Sequence, residues 1–345
     1  MPALDLVLAG IPLSFSTDSK PLLELLAAYF RYYAPRLSEG AVSLNATGDS
    51  PGLRFDLQLV ETLPGYESRL SPGAELLSET GGLRLWRAAS DAQANLSADQ
   101  FYFDAGVAAF HLDLVANRAM GFITPVALEY PRILANTYTL FPLLLLLRAH
   151  SVYHLHAAAA LSPSGKVCLF PASSRAGKTT LTTALGLSGW RPLGDDTVLL
   201  RVTDTGVSLM PLRKEFHLDE RLLAAWPGLA AAEISHTYFG RACVSALDLF
   251  GTTTLAERVF EHVDAFILPQ ISETAPSRLE PLAGSAVLLK LAEQSMFLQL
   301  WRAHTERHFG ALAALVQGAA CYRFLSGPDV WADPAAAARA LPEFA

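Results

Sequence analysis

Charge is scarce in this 345-residue chain: Asp, Glu, Lys and Arg make up 17% of it, against 51% hydrophobic residues. What charge there is leans acidic, to a net −7, which argues against general nucleic-acid binding because that needs a basic surface. Cysteine is scarce too. Cys168, Cys243 and Cys321 are far apart in apolar stretches, with neither a zinc spacing nor a disulfide framework, and read as buried thiols in a reducing cytoplasm. Long apolar runs are lacking: Leu140 to Leu147 is bounded by Arg148 and His150, too short to span a bilayer, and reads as a buried helix. The opening MPALDLVLAGIPLSF has no basic residue, and Asp5 and Pro12 interrupt it, unlike a signal peptide. The expectation is a cytoplasmic protein with no membrane partner. What is present is apolar material for a large core in two domains, with enough to spare for a homo-oligomer interface.

Residues 21–35 (PLLELLAAYFRYYAP) place Leu22, Leu25, Leu26, Tyr29 and Phe30 at helical spacing and stop at Pro35. From 41 to 125 short alternating runs follow, such as VSLNAT, LRFDLQLV and QFYFDA, separated by Gly, Pro, Asn, Asp and Ser. This predicts a smaller α+β domain over 1–125, dominated by antiparallel strands. Trp86, Phe101, Tyr102 and Phe103 are read as core residues in preference to a stacking surface.

The remaining 126–345 form the second expected domain. Val152 to Leu161 reads as a strand, Pro163-Ser164-Gly165 as a turn and 166–170 as a second strand. Alternation puts His154 and His156 on one face of this hairpin. The hairpin leads into FPASSRAGKTT (170–180), laid out as a phosphate-binding loop. In such a loop, backbone N–H groups at a helix start face the anion, a Lys reaches the outer phosphates and a Thr hydroxyl ligates Mg²⁺. The match departs from the pattern at Ala172, where a Gly is expected, and at Arg175. A non-Gly residue at positive φ costs roughly 1–2 kcal/mol, which a bound polyphosphate would offset.

Leu181, Ala184 and Leu185 then share a helical face, Gly189 supplies a stop, and GWRPLGDDTVLLR follows. Asp195 lies 17 residues past Lys178, room for one short helix and a return strand. Adjacent acids beside a phosphate loop fit a second Mg²⁺ anchor and a base for an attacking hydroxyl. No LSGGQ-like stretch marks a transporter ATPase and no Asn-Lys-x-Asp a GTPase, and the apolar run follows the acids instead of preceding them as in a usual Walker B.

The LHAAAA strand, the FPASSRAGKTTL loop, GW–PLGDD and VSLMPLRKEFHL together resemble the HPr kinase/phosphorylase superfamily, above all its HPr-kinase-related branch. Some members of that branch phosphorylate precursor peptides. The resemblance covers about 140–220 and continues weakly through 263–271, 286–294 and 320–325. It implies an α/β P-loop domain, a mixed β-sheet flanked by helices with the loop at one edge. It also implies roles. Ser173, Ser174, Arg175, Ala176, Gly177, Lys178, Thr179 and Thr180 would hold the phosphates of ATP, and Thr179 would ligate Mg²⁺. Asp195 and Asp196 would divide metal and general-base duties, with His156 lining the site. The Arg-Gly-Leu-Gly signature of the bifunctional members has only a faint echo in 240–251, without its acid or its glycines, a departure that counts against action on HPr and against the phosphorylase reaction. Arg213, Lys214, His236, Tyr238 and Arg241 are open between surface charges and substrate contacts.

The expected activity is an ATP- and Mg²⁺-dependent kinase acting on a Ser or Thr hydroxyl of a peptide or small protein, with the N-terminal domain, by elimination, recognising the acceptor. A small-molecule hydroxyl kinase and a nucleotide-binding scaffold without turnover are the alternatives.

Overall fold

The computed structural model describes residues 2–30, 52–70, 72–89, 99–212, 215–229, 234–238, 241–251, 259–298 and 302–344. The chain divides into two compact units, Met1–His150 and Ser151–Ala345. The helical segment 125–149, expected with the C-terminal domain, groups with the N-terminal unit.

In the first unit the strands are Ala3–Leu8 (β1), Ile11–Thr17 (β2), Leu53–Leu59 (β3) and Glu75–Thr80 (β4). Leu83–Arg87 (β5), Gln100–Asp104 (β6), Ala108–Asp113 (β7) and Arg118–Ile123 (β8) complete a sheet ordered β1-β2-β3-β8-β7-β6-β5-β4. Most pairs are antiparallel, but β2–β3 and β3–β8 are parallel. The β1–β2 hairpin, not anticipated from the sequence, turns through Ala9 and Gly10 at φ +51° and +75°, the left-handed pair that a two-residue turn demands. In β2 every second residue is buried. The helix Lys20–Phe30 (α1) buries Leu22, Leu26 and Phe30, and Phe15 packs between Phe30 and Phe55 at ring distances of 5.3 and 4.9 Å. Trp86, Phe101, Tyr102 and Phe103 are buried, as core residues should be. The helix Leu140–Ala149 (α2) stacks Phe141 on Phe103 at 4.5 Å. Among the described residues no helix is long and apolar enough to cross a membrane.

The second unit is mixed α/β, with sheets flanked by helices. Its strands are Val152–Leu155 (β9), Ala157–Leu161 (β10), Val167–Pro171 (β11), Arg191–Gly194 (β12), Val198–Thr203 (β13) and Gly206–Pro211 (β14). Glu215–Asp219 (β15), Ile234–Tyr238 (β16), Arg241–Ser245 (β17), Ala265–Ile271 (β18), Arg278–Pro281 (β19) and Ala320–Ser326 (β20) follow. Six of them form the sheet β12-β10-β11-β18-β20-β19, and three each form β14-β13-β9 and β15-β17-β16.

The six-stranded sheet is covered on both faces, which is why β10 and β11 read as unbroken apolar runs. Ala158, Ala160, Cys168 and Phe170 face one core with Leu181, Ala184 and Leu185 of the helix Lys178–Leu187 (α3). Ala157, Ala159, Val167 and Leu169 face the other, with Val287 and Leu291 of Gly284–Glu293 (α4) and Leu312 of Arg302–Gln317 (α5).

The expected single strand 152–161 is broken at His156. β9 pairs with β13 and β10 with β12, so the chain leaves one sheet for another twice: at His156 and at Asp195–Asp196. Because β9–β13 and β10–β12 are both hydrogen-bonded pairs, the two breaks lie side by side. The His156 N–H bonds the Gln294 carbonyl at 2.8 Å instead of a ladder partner.

Candidate functional site

The loop of residues 172–177 leaves the C-terminal end of β11, which is an interior strand, third of six, and not the sheet edge that the family resemblance implied. Arg175 takes φ +68° and Gly177 φ +92°. Ala172, the other departure from the pattern, needs no left-handed backbone and is buried. The bond from Leu181 N–H to the Gly177 carbonyl, 2.9 Å, opens the ladder of α3. The amides of Lys178, Thr179 and Thr180 precede it, where an α-helix has no internal acceptor to offer. Ser173 accepts from Gln294 Nε2 at 3.3 Å, and its carbonyl accepts from the Ala176 N–H at 3.3 Å.

Around this helix start the two sheet breaks deliver their polar groups. Lys178 is only 5% exposed, and its Nζ lies 2.8 Å from Asp196 Oδ1 and 3.0 Å from His156 Nε2. His156 Nδ1 lies 3.0 Å from the Asp196 carbonyl oxygen. A carbonyl only accepts and an ammonium only donates, so these contacts hold His156 as the neutral tautomer with its proton on Nδ1 and the Nε2 lone pair toward Lys178. Asp196 stands at φ +64°, a conformation that Asp tolerates better than most residues. Its neighbour turns the other way. Asp195 is 1% exposed, and its Oδ2 accepts from Thr179 Oγ1 at 2.8 Å.

A cavity of about 510 Å³ is lined by Ser174, Arg175, Gly177, Lys178, Thr179 and Thr180 from the loop and helix, and by His156 and Asp196. Ser173 and Ala176 belong to the loop without lining the cavity, and Asp195 lies behind Thr179. His154, expected on the same face as His156, is buried and outside the lining, because the break at His156 resets the alternation. The rest of the lining comes from His217, Asp219, Arg221 and Arg241, with Ile271 and Trp331. Arg241 was an open candidate. Nothing in the local pattern marks Arg221 or Trp331, whereas the polar alternation of His217 and Asp219 in EFHLD was a readable sign of a strand with one wet face. Arg213 and Lys214 lie outside the described residues, and so do the side chains of His236 and Tyr238.

The HPr(Ser) kinase/phosphatase from Coxiella burnetii matches at 15% identity with a TM-score of 0.24, over 50% of this chain and 85% of that chain. No family model matches the sequence, and no curated protein does. At that score the match carries no argument about this chain, and function has to be read from the chain's own residues.

Those residues fit a nucleotide with a hard divalent cation. Thr179 Oγ1 and Asp195 Oδ2 are adjacent oxygen donors of the kind Mg²⁺ takes. Lys178 holds a buried positive charge at a helix start, where an anion is favoured both by the amides and by the helix dipole. The volume falls within the range of small-ligand sites, roughly 300–1,000 Å³.

Proposed function

We propose that this chain is an ATP- and Mg²⁺-dependent kinase that transfers the γ-phosphoryl group to a Ser or Thr hydroxyl of a peptide or small protein. The observation that carries the reading is the convergence of Lys178, His156 and Asp196, with the Thr179–Asp195 pair, on the cavity at the start of α3. When bound, Mg²⁺ would neutralise phosphate charge as it develops.

Thr179 and Asp195 are the residues proposed to hold that ion, since their oxygens already meet. Lys178 stabilises the negative charge of the transferring group, and the amides of 178–180 add partial positive charge along the same axis. Asp196 lines the cavity and Asp195 does not, so Asp196 is the proposed base: the acceptor oxygen bonds to phosphorus, the bond from phosphorus to the leaving oxygen of ADP breaks, and the hydroxyl proton passes to the Asp196 carboxylate. His156, neutral, accepts from Lys178 and fixes where its ammonium points.

A macromolecular acceptor is favoured over a small enclosed one by the exposed part of the lining. Arg221 and Trp331 line the cavity yet are exposed, the Trp at 42% and the Arg side chain at 86%, so the cavity opens to solvent past the acids. The test is incubation with labelled ATP, Mg²⁺ and candidate peptides, comparing wild type with Lys178→Ala and Asp196→Asn. Transfer by the wild type alone supports the reading. Equal transfer by all three proteins refutes the assignment, and nucleotide binding without transfer to any acceptor or to water leaves the scaffold alternative standing in its place.

A further inference from the structure

The face of β15 and β17 that lines the cavity through His217, Asp219 and Arg241 carries a second set of donors. Glu215 and His217 are two residues apart in one strand and therefore share a face. Cys243 is the register partner of His217 in the antiparallel neighbour, which puts it on that face as well. One ligand atom from each of the three lies within 4.8 Å of the others, and Cys243 Sγ approaches Glu215 Oε2 at 3.7 Å. The other face of the same strands, with Phe216, Leu218, Ala242 and Val244, is buried in the core against α3, so the backbone that aims these donors is held rigidly.

We propose that Glu215, His217 and Cys243 form a binding site for a Zn²⁺-class transition metal, separate from the Thr179–Asp195 oxygen pair, with an open coordination position toward the cavity that His217 lines. The donor set selects the ion. A thiolate and an imidazole are poor ligands for Mg²⁺ or Ca²⁺ and good ones for Zn²⁺. Zinc at its usual bond lengths of about 2.0–2.3 Å separates its ligands by roughly 3–4 Å. The Cys–Glu distance of 3.7 Å already satisfies this, and with all three ligand atoms within 4.8 Å of one another, side-chain rotation is enough to close the set around an ion. The Cys243–Glu215 contact is the metal-free form of the same arrangement: the thiol hydrogen-bonds the carboxylate, and metal uptake replaces and releases that proton. Three protein ligands with a fourth place open is the pattern of a zinc site that meets a water or a substrate group rather than a closed structural one. Beside the cavity that His217 and Asp196 both line, such a site would receive a polar group of the acceptor.

The test uses the full chain, stripped of metal with a chelator and then dialysed against Co²⁺ or Zn²⁺ without nucleotide, so that its outcome is independent of the kinase reading. One Co²⁺ per chain is expected, with the near-ultraviolet thiolate-to-metal absorption and the visible bands of a low-coordinate ion, displaced by Zn²⁺. Cys243→Ser should lose the thiolate absorption and His217→Ala the uptake, while Cys168→Ser and Cys321→Ser keep both. Circular dichroism of the metal-free variants checks that they fold. A wild type that takes up no Co²⁺ or Zn²⁺, or a thiolate absorption that survives Cys243→Ser, overturns the proposal whatever the variants' folding.

Discussion

The Lys178 ammonium lies 2.8 Å from the Asp196 carboxylate although the two residues are reached by different routes, one from the helix after β11 and the other from the turn between β12 and β13. A cation buried to this degree is stable only when paired. The pair therefore ties the start of α3 to the sheet break, and it brings the proposed charge stabiliser against the proposed base.

Removing the ammonium while keeping the stem, with Lys178→Met, is expected to lower kcat/KM for phosphoryl transfer by about 10²–10³-fold, the usual cost of one preorganised electrostatic contact. Steady-state assays with circular dichroism as the folding control decide it. A loss below tenfold would place Lys178 outside the chemistry.

The two neighbouring acids should fail differently. Asp195→Asn weakens the oxygen pair with Thr179, so the Mg²⁺ concentration for half-maximal rate should rise by at least about tenfold. Asp196→Asn removes the proposed base, so kcat should fall by about 10²–10⁴-fold with the Mg²⁺ requirement little changed. Mg²⁺ titrations of both variants that move in parallel would contradict this division.

Two substitutions in the loop should move stability in opposite directions. Gly177 stands at φ +92°, and an added Cβ would meet Ile271 only at an ordinary 3.4 Å, so Gly177→Ala carries a backbone penalty of about 1–2 kcal/mol. Arg175, at φ +68°, is under the same strain already, and Arg175→Gly should cost nothing or gain up to about 1 kcal/mol. Urea denaturation of the metal- and nucleotide-free proteins measures both.

Acid should weaken the N-terminal unit through Asp56. Partial burial pushes its pKa up, but hydrogen bonds from Ser16 (2.7 Å) and Arg118 (2.5 Å), with the charges of Arg118 and Arg54, outweigh this and hold it below the ordinary value near 3.8. A carboxyl with a folded pKa below its unfolded one contributes stability above the unfolded value and loses it as pH falls through the folded value. Arg118→Ala should lower stability at neutral pH and remove part of this acid dependence, so that the two proteins converge once both carboxyls are protonated. Denaturant midpoints measured from neutral pH down into the carboxylate range would show it; a constant gap at every pH would not fit.

Several features were legible in the chain because they depend on local chemistry. The loop and α3 follow from an apolar strand, small residues and Gly177-Lys178-Thr179 in sequence. The apolar runs of β10 and β11 announce strands buried on both faces. The aromatic group around Phe101 reads as core because aromatic area of that size has nowhere else to go in a chain with so little charge. The β1–β2 hairpin is less legible, although IPLSFST alternates, because Pro12 and the apolar residues around it mask the period.

The sequence by itself determined that a loop laid out for phosphate, a pair of acids and a His-bearing strand exist, and that the net charge is acidic and the core large. Only the tertiary structure decided that β9–β10 and β12–β13 break next to each other, turning His156 and Asp196 onto Lys178 while sending Asp195 to Thr179. It alone brought β15 and β17 to the same cavity, with Glu215, His217 and Cys243 on one face. The reason is physical. A residue's period along a strand fixes its side, but which strand it pairs with, and where the pairing changes sheets, is set by contacts between segments tens of residues apart, and no local pattern encodes those.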